Sequence, residues 1–226
     1  MLNAVIAVVA AYLWASVPSA YLVGRYLKGI DIRSYGSGNL GASNVTEQIN
    51  MRTGLLLGVF DSLAKGTLPV IVARALDQDP SVQAAAGVAA IAGHNWSLYI
   101  RFTGGRGLAT AFGVVLGLFL WAEMAVLLVM VAFGRYVLKD TALWALVGVL
   151  VLPGLALIRG EPTEIVYMLV AVVILLLLKR LTANWEPPRT EQHSLPRVMA
   201  YRLLWDRDVS RKDRWTARSP SAEREV

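Results

Sequence analysis

The sequence predicts an all-α polytopic membrane protein, because it is too apolar for a soluble domain and its apolar residues fall in long runs. Of its 226 residues, 56% are hydrophobic and 17% are charged, and the mean hydropathy is +0.52. Soluble domains are ordinarily about 45–50% apolar and about 25% charged. The apolar runs, separated by short polar joints, cover residues 2–23, 54–76, 82–92, 108–133, 142–158 and 165–178. These joints leave no room for a large soluble domain.

The distribution of positive charge orients the predicted helices. Lys and Arg cluster in residues 25–52, 101–106, 135–139 and 179–180. The positive-inside rule places these stretches in the cytoplasm, and the Lys/Arg-poor joints at 77–81, around Glu123 and at 159–164 outside. We therefore expect seven transmembrane helices, with the N-terminus outside and the C-terminus cytoplasmic.

Some of these helices must be short or broken. The run 108–133 has to contain two crossings, although one straight span needs about 20 residues. The run 82–92 is also short. Short or interrupted helices are tolerated at membrane depth where they line an enclosed or watery cavity. The first run lacks a basic n-region and a convincing cleavage site, so it is interpreted as a span and not as a signal peptide.

Residue types that are absent or scarce narrow the chemistry. The chain has no cysteine, which excludes a disulfide framework, a thiol nucleophile and an iron–sulfur cluster. Its two histidines, His94 and His193, are too few and too far apart to indicate a zinc site. We expect neither a metal nor a cofactor.

The first polar loop, residues 36–44, has the composition of an anion-binding loop. Glycines allow backbone N–H groups to converge on an oxyanion, and hydroxyl and amide side chains add donors. The residues concerned are Gly36, Ser37, Gly38, Asn39, Gly41, Ser43 and Asn44. Close helix packing accounts for isolated glycines such as Gly113, but not for a cluster in a polar loop.

A second loop of the same kind adds a fixed positive charge. It comprises Gly104, Gly105, Arg106 and Gly107. A guanidinium wedged between glycines at the start of a helix can form two parallel bonds to phosphate oxygens. The alternative is a positive-inside anchor that reaches the lipid headgroups.

Three ionisable residues stand out near the membrane-spanning runs. Asp61 and Lys65 are four residues apart, so they can pair on one helix face. The pair could fix helix packing or contact substrate, since intramembrane ionisable groups are functional candidates. His94, at the end of the third run, is either a helix-end residue or a proton-transfer group.

The chain resembles the bacterial acyl-phosphate:glycerol-3-phosphate acyltransferases over residues 10–180. The stretches that carry the resemblance are SVPSAYLVGR at 16–25, KGIDIR at 28–33, GSGNLGASNVT at 36–46, Asp61 with Lys65 and Gly66, and GHNWSLYIRFTGGRGLAT at 93–110. The resemblance implies a seven-span bundle in the bacterial inner membrane, with both loops facing the cytoplasm and an acyl phosphate as donor. Such a donor is already activated, so the protein mainly positions phosphates and stabilises developing charge.

The chain departs from the family pattern at several positions. Ser97 and Arg106 stand where Pro and Lys are usual, and Glu47 where Arg is common. Asp61 and Lys65 are one residue further apart than usual. The serine-bearing stretch after the fifth span offers only Thr141 as a hydroxyl, and the third motif retains Asn184 but has Leu181 in place of His. The chain is thus a divergent member.

Residues 186–226 lie outside the resemblance and form a separate cytoplasmic tail, whereas residues 1–185 form the bundle. The tail is rich in both charges and leaves the bundle through Pro187 and Pro188. Val198, Tyr201 and Trp205 recur at helical spacing, which predicts either a short helix on the inner leaflet or a poorly ordered segment.

The leading functional hypothesis is transfer of a fatty acyl group from acyl phosphate to glycerol 3-phosphate, giving lysophosphatidic acid. The predicted catalytic residues are Ser37, Asn39, Arg106 and His94. Substrate binding is assigned to the remaining residues of both loops together with Asp61, Lys65, Thr141 and Asn184. The alternatives are a non-catalytic anionic-lipid binder or transporter, or an acyltransferase with a different acceptor. We expect contact with membrane lipids, no nucleic acid, and compatibility with a monomer.

Overall fold

The computed structural model describes residues 1–190 and 193–209, and within them every named element is helical. The α-helices are α1 (Leu2–Ala15), α2 (Ser19–Lys28), α3 (Ala42–Gln48), α4 (Met51–Phe60), α5 (Leu68–Ala75), α6 (Pro80–Asn95), α7 (Leu108–Gly117), α8 (Trp121–Tyr136), α9 (Thr141–Arg159), α10 (Thr163–Thr182) and α11 (Leu195–Trp205). A π-helical segment, Asp61–Thr67, joins α4 to α5, and short 3₁₀ turns lie at Ile32–Ser34, Leu98–Ile100 and Ala183–Trp185.

The first apolar run is interrupted by Pro18. It separates α1 from α2, and its ring, which lacks an N–H, stands at the N-cap of α2. The chain therefore turns at Pro18. The side chain of Ser19, the next residue, points into the bundle toward Asp61. Helix α2 ends at Gly29, whose left-handed conformation (φ +66°) terminates it.

The second apolar run contains the π-helical segment. In this segment Leu68 donates its N–H to the carbonyl of Leu63, five residues earlier. The next donor in that register would be Pro69, which has no N–H to give to the Ala64 carbonyl. The indole Nε1–H of Trp14 donates to that carbonyl instead, at 2.6 Å, and so joins α1 to the widened turn.

The run 108–133 contains two helices, as the predicted topology required of a run too short for two full-length spans. Helix α7 has 10 residues and α8 has 16, and the chain between them turns at Leu118–Leu120 with Phe119 in a left-handed conformation (φ +58°). Helix α7 packs with its backbone directly on the π-helical segment. A Cβ on Gly113 would lie 1.9 Å from the carbonyl oxygen of Ser62, so no larger residue fits there.

The main hydrophobic core is formed by residues of the helices from α5 to α10. Its fully enclosed members include Val70, Ile91, Val114, Leu152 and Leu169. Helix α9 begins at an Asp140 cap, in which Oδ1 accepts the N–H of Leu143 at 3.2 Å.

Four helical stretches of the described residues are long and apolar enough to cross a membrane: Leu2–Lys28, Met51–Ala75, Thr141–Arg159 and Thr163–Trp185. Helices α6, α7 and α8 are shorter. The all-helical membrane architecture predicted from composition is confirmed, and the count of seven spans stays a prediction.

The short helix predicted in the tail is present. Helix α11 covers the residues with helical spacing and packs against α9 and α10, with Val198 fully buried. It therefore lies on the end of the bundle. The predicted tail also includes residues 191–192 and 210–226, which lie outside the described residues.

Candidate active site

The π-helical segment brings Asp61 and Lys65 together. Lys65 Nζ lies 3.0 Å from Asp61 Oδ1, and the two side chains are only 3% and 1% exposed. This confirms the pairing predicted from their spacing. A buried pair of this kind needs further hydrogen bonds to offset its loss of hydration.

Ser19 supplies the additional hydrogen bonds. Its hydroxyl donates to Asp61 Oδ1 at 2.8 Å and accepts from Lys65 Nζ at 2.7 Å. Ser19 lies in one of the stretches that carry the family resemblance, but it was not among the predicted site residues. A hydroxyl directly after the proline that interrupts the first apolar run was the available signal.

His94 ends α6 beside this cluster. Its Nδ1 lies 3.9 Å from Asp61 Oδ1, which is too far for a hydrogen bond, and it is buried with no partner among the described residues. On the opposite side of the ring is Gly105, where a Cβ would lie 2.1 Å from His94 Nε2. The imidazole is therefore enclosed between the ion pair and the second loop, with one polar atom available.

Asn44 shapes the first loop from within. Its Nδ2 donates to the carbonyls of Ile32 at 3.2 Å and Tyr35 at 3.1 Å, while its Oδ1 accepts the N–H of Ser37 at 3.2 Å. Asn44 was predicted to bind substrate. In the structure its side-chain amide forms hydrogen bonds with the backbone of its own loop, so it determines where the other polar groups of the loop lie.

Two glycines of the first loop have the left-handed backbone conformation that favours glycine. Gly36 has φ +56° and Gly38 has φ +69°. A Cβ on Gly36 would lie 2.4 Å from Asn44 Oδ1. Gly41 has an extended backbone at the N-cap of α3, and Ser43 in the first turn of α3 is exposed.

Asn39 leaves one acceptor unpaired in the same loop. Its N–H donates to Ser37 Oγ at 3.3 Å, and its Oδ1 is buried without a partner among the described residues. The Asn39 amide oxygen is therefore uncommitted, whereas the Ser37 hydroxyl accepts one backbone N–H and keeps its own proton to donate.

A carboxylate–guanidinium pair fixes the entry to this loop. Asp31 Oδ1 accepts the N–H of Arg33 at 3.1 Å, and Asp31 Oδ2 accepts from Arg33 Nη2 at 2.7 Å. The Arg33 side chain therefore holds the pKa of the Asp31 carboxyl below its ordinary value.

The end of α10 clamps the second loop. Asn184 Oδ1 accepts the N–H of Gly104 at 2.9 Å, and Asn184 Nδ2 donates to the Gly104 carbonyl at 3.1 Å. The ammonium of Lys179, which is fully buried, donates to Asn184 Oδ1 at 2.6 Å and to the carbonyl of Asn95. Asn184 was a predicted site residue. Lys179 was not, because its place in the sequence is that of a charge which closes the last apolar run.

Arg106 projects from the second loop toward the C-terminal segment. Its Nε lies 2.8 Å from Asp206 Oδ1 and donates to Asp206 Oδ2 at 2.9 Å, while its Nη1 donates to the Lys179 carbonyl at 3.1 Å. No sequence motif pointed to Asp206, since this residue lies in the tail, outside the family resemblance.

The two loops meet at one end of the bundle. A Cβ on Gly105 would lie 2.8 Å from the Leu40 carbonyl. Residues of both loops and of the buried cluster line one small cleft, which we call the cleft: its lining includes Ser19, Leu40, Lys65, His94, Gly104 and Gly105. The predicted site residues Ser37, Asn39, Arg106 and Asn184 are not among those that line the cleft. Thr141 does not line the cleft either; it begins α9, whose Ala142 carbonyl accepts from Arg180 at 2.7 Å.

An apolar groove of about 520 Å³ runs along the outside of α1 and α5. We call it the α1/α5 groove. Its lining includes Ile6, Ala7, Ala10, Trp14, Leu68 and Val72. At one end Trp14 is two residues from Ser16 of the cleft, and Leu68 is one turn from Lys65, so the groove leads away from the cleft along the bundle.

Known proteins share this architecture. The family model for glycerol-3-phosphate acyltransferase matches residues 5–186. Glycerol-3-phosphate acyltransferase 5 of Dehalococcoides mccartyi is 34% identical over 98% of this chain and 96% of its own length. Glycerol-3-phosphate acyltransferase 2 of Moorella thermoacetica is 41% identical over 70% of this chain and 79% of its own length.

A solved structure is similar in fold as well. PlsY, an integral membrane glycerol 3-phosphate acyltransferase solved in its glycerol 3-phosphate form, superposes with a TM-score of 0.72 at 28% identity, over 79% of this chain and 88% of PlsY. The helical membrane bundle with its terminal cleft thus places the protein among integral membrane acyltransferases. The chain belongs to the glycerol-3-phosphate acyltransferase family.

Proposed function

We propose that the protein transfers a fatty acyl group from an acyl phosphate to the primary hydroxyl of glycerol 3-phosphate, releasing lysophosphatidic acid and inorganic phosphate. The observation that carries the proposal is the meeting of both glycine-rich loops at a cleft with buried Lys65 and His94. Crystal forms of the related PlsY with glycerol 3-phosphate and with lysophosphatidic acid support the choice of acceptor and product.

The proposed reaction needs little covalent chemistry from the protein. The acceptor oxygen attacks the acyl carbonyl carbon, the bond from that carbon to the phosphate oxygen breaks, and phosphate leaves. The hydroxyl proton passes to a phosphate oxygen of a substrate. Positioned N–H groups and cations accelerate such a step by stabilising charge as it develops.

Each loop takes a distinct part in this proposal. Ser37 and Asn39 bind one phosphate through their side chains, while the Arg106 guanidinium and the backbone of Gly107 bind the other. The N–H groups of Gly38 and Gly105 are already paired with the carbonyls of Tyr35 and His94, at 3.0 and 3.1 Å. Asn44 and Asn184 act by shaping the two loops, since their amides bond to loop backbone. His94 Nδ1, buried and unpartnered among the described residues, is the group best placed to orient the acceptor hydroxyl.

We assign the donor's acyl chain to the α1/α5 groove. The groove is apolar and open on its outer side, and it begins next to the cleft. A chain that moves there from the bilayer leaves one apolar environment for another, so van der Waals packing against the groove wall, and not removal from water, would hold it. A chain entering from the lipid could thus place its acyl phosphate headgroup in the cleft.

We further propose seven spans in the bacterial inner membrane, with the site facing the cytoplasm, as the distribution of Lys and Arg predicts. Residues after α1, after α6 and after α10 meet at one end of the bundle. This meeting requires an even number of crossings between successive meeting points, and the proposed topology has two and then four. The qualifying stretches together with α6, α7 and α8 supply the seven spans.

The proposed activity is tested by measuring phosphate release from a synthetic acyl phosphate by purified protein, with and without glycerol 3-phosphate. We expect release to depend on glycerol 3-phosphate and to fall strongly in Arg106→Ala. A protein that binds the acyl phosphate but never releases phosphate would favour the alternative, a non-catalytic anionic-lipid binder. Release that requires another alcohol would identify a different acceptor.

A further inference from the structure

A carboxylate from outside the family match reaches the arginine of the second loop. The match ends at residue 186, whereas Asp206 directly follows α11 in the C-terminal segment. Its carboxylate contacts Arg106 Nε through both oxygens, at 2.8 and 2.9 Å. The two side chains are mostly buried, with 13% and 21% of their surfaces exposed.

The fold of the C-terminal segment fixes the position of Asp206. Asp206 has a left-handed backbone (φ +57°), and its N–H donates to the Arg202 carbonyl at 3.1 Å. Arg202 also forms a buried ion pair with Asp208, at 2.6 Å. The same guanidinium donates to the carbonyls of Leu181 and Glu186, so it anchors the segment to the end of α10.

The contact uses only part of the Arg106 guanidinium. A guanidinium has five N–H donors. Asp206 engages Nε, and the Lys179 carbonyl accepts from Nη1. The other N–H groups have no protein acceptor in residues 1–190 and 193–209. Asp206 thus holds one edge of the planar group while the terminal nitrogens keep donors for a ligand.

We infer that Asp206 is a positioning residue for the second anion loop: it holds Arg106 by Nε so that the terminal nitrogens face a substrate phosphate. The inference rests on the phosphate role proposed above for Arg106. A lysine, the residue that the family resemblance associates with this position, carries one freely rotating ammonium. A planar guanidinium must be oriented before it can bind a phosphate oxygen, and Asp206 provides that orientation.

The charge of Asp206 has a second consequence. Arg106 lies near the cations Lys179 and Arg180 at the end of α10, and their mutual repulsion opposes a single arrangement of the loop. The carboxylate offsets that repulsion before substrate arrives. A carboxylate that merely competed with phosphate would instead have to leave Arg106 during turnover, so its removal would increase activity.

The test compares Asp206→Ala with wild type in two backgrounds, intact and Arg106→Lys. A hydrogen bond to a charged group contributes enough free energy for its loss to change a rate about tenfold or more. We therefore expect kcat/KM to fall about tenfold or more in the intact background. In the Arg106→Lys background the same substitution should change kcat/KM less than about twofold, because lysine has no Nε–H for Asp206 to hold. Glu164→Gln, an exposed carboxylate at the other end of the bundle, is the control and should match wild type.

Thermal stabilisation by glycerol 3-phosphate gives a readout that does not depend on turnover. Asp206→Ala leaves the mostly buried Arg106 without its counter-charge and lowers the melting temperature without ligand. The readout is therefore the further shift that glycerol 3-phosphate produces, which we expect to be smaller in Asp206→Ala than in wild type. Increased activity in Asp206→Ala would overturn the inference in favour of competition, and equal losses in both backgrounds would indicate a purely structural tail contact. Full activity in Arg106→Ala would refute the phosphate role of Arg106. Full activity in Asp206→Ala, together with a loss of activity in Arg106→Ala, would refute the positioning role of Asp206 alone.

Discussion

Asp61 and Lys65 form a buried ion pair on a π-helical turn, with Lys65 Nζ 3.0 Å from Asp61 Oδ1 and the Ser19 hydroxyl bonded to both. The wider turn leaves both side chains on the face that meets α2 and His94. The pair thus joins the first two membrane stretches at the cleft. The open question from the sequence was whether it serves packing or substrate, and paired substitutions separate the two.

We expect Asp61→Asn to destabilise the protein by about 3–5 kcal/mol, because it leaves the Lys65 ammonium buried without its counter-charge. The double variant Asp61→Asn/Lys65→Met removes both charges and should recover most of the thermal stability in detergent. Its acyltransferase activity should stay low if the pair also contacts substrate. Full recovery of both stability and activity would assign the pair to packing alone.

Replacing Asn184 with alanine should loosen the second loop. The substitution removes both amide contacts to Gly104 and one acceptor of Lys179. Losing hydrogen bonds to a buried charged network costs about 1–3 kcal/mol, and we expect a corresponding fall in kcat/KM of about tenfold or more. Thr182→Ala, whose hydroxyl makes only a 3.4 Å bond at the same helix end, is the matched control. Equal activity in the two variants would contradict the clamp.

Gly38→Val should abolish turnover, because valine is strained at the Gly38 backbone angle of φ +69° and would displace the neighbouring side chains of Ser37 and Asn39. Gly38→Asn should keep measurable activity, since asparagine tolerates that conformation. Both proteins should still insert into the membrane and purify as monodisperse species in size-exclusion chromatography. Their turnover is measured by steady-state kinetics. Unchanged rate and substrate affinity in the valine variant would refute the anion-loop interpretation.

Filling the α1/α5 groove should change the preferred donor chain length. Ala7 lies midway along the groove wall on α1, so Ala7→Phe should lower kcat/KM for long-chain acyl phosphates more than for medium-chain ones. Val5→Phe places the same ring on the exposed face of α1, where Val5 is 59% exposed, and should leave the ratio unchanged. An unaltered ratio in Ala7→Phe would place the acyl chain elsewhere.

The topology makes a separate prediction. Reporter fusions after Asp79, in a joint poor in Lys and Arg, and after Trp185, beside the last basic cluster, should report opposite sides of the membrane. The Trp185 fusion is expected on the cytoplasmic side. A shared side for both fusions would rule out the seven-span arrangement.

The sequence alone determined the membrane class, the family and the pairing of Asp61 with Lys65. Composition reports directly how much apolar surface must be covered by lipid or protein, and a four-residue separation places two side chains on one helix face whether the turn is α or π. The family motifs are contiguous stretches of sequence, so they can be recognised without knowledge of the fold.

Only the tertiary structure decided which groups share the cleft and which of them are free to act. Asn44 and Asn184 bond to loop backbone, Ser19 completes the ion pair, and Asp206 contacts Arg106. These contacts join residues far apart in the chain, and local pattern carries no information about such distances. The physical reason is that a hydrogen-bonding side chain takes whichever partner packing brings within about 3 Å, and packing is a property of the whole bundle.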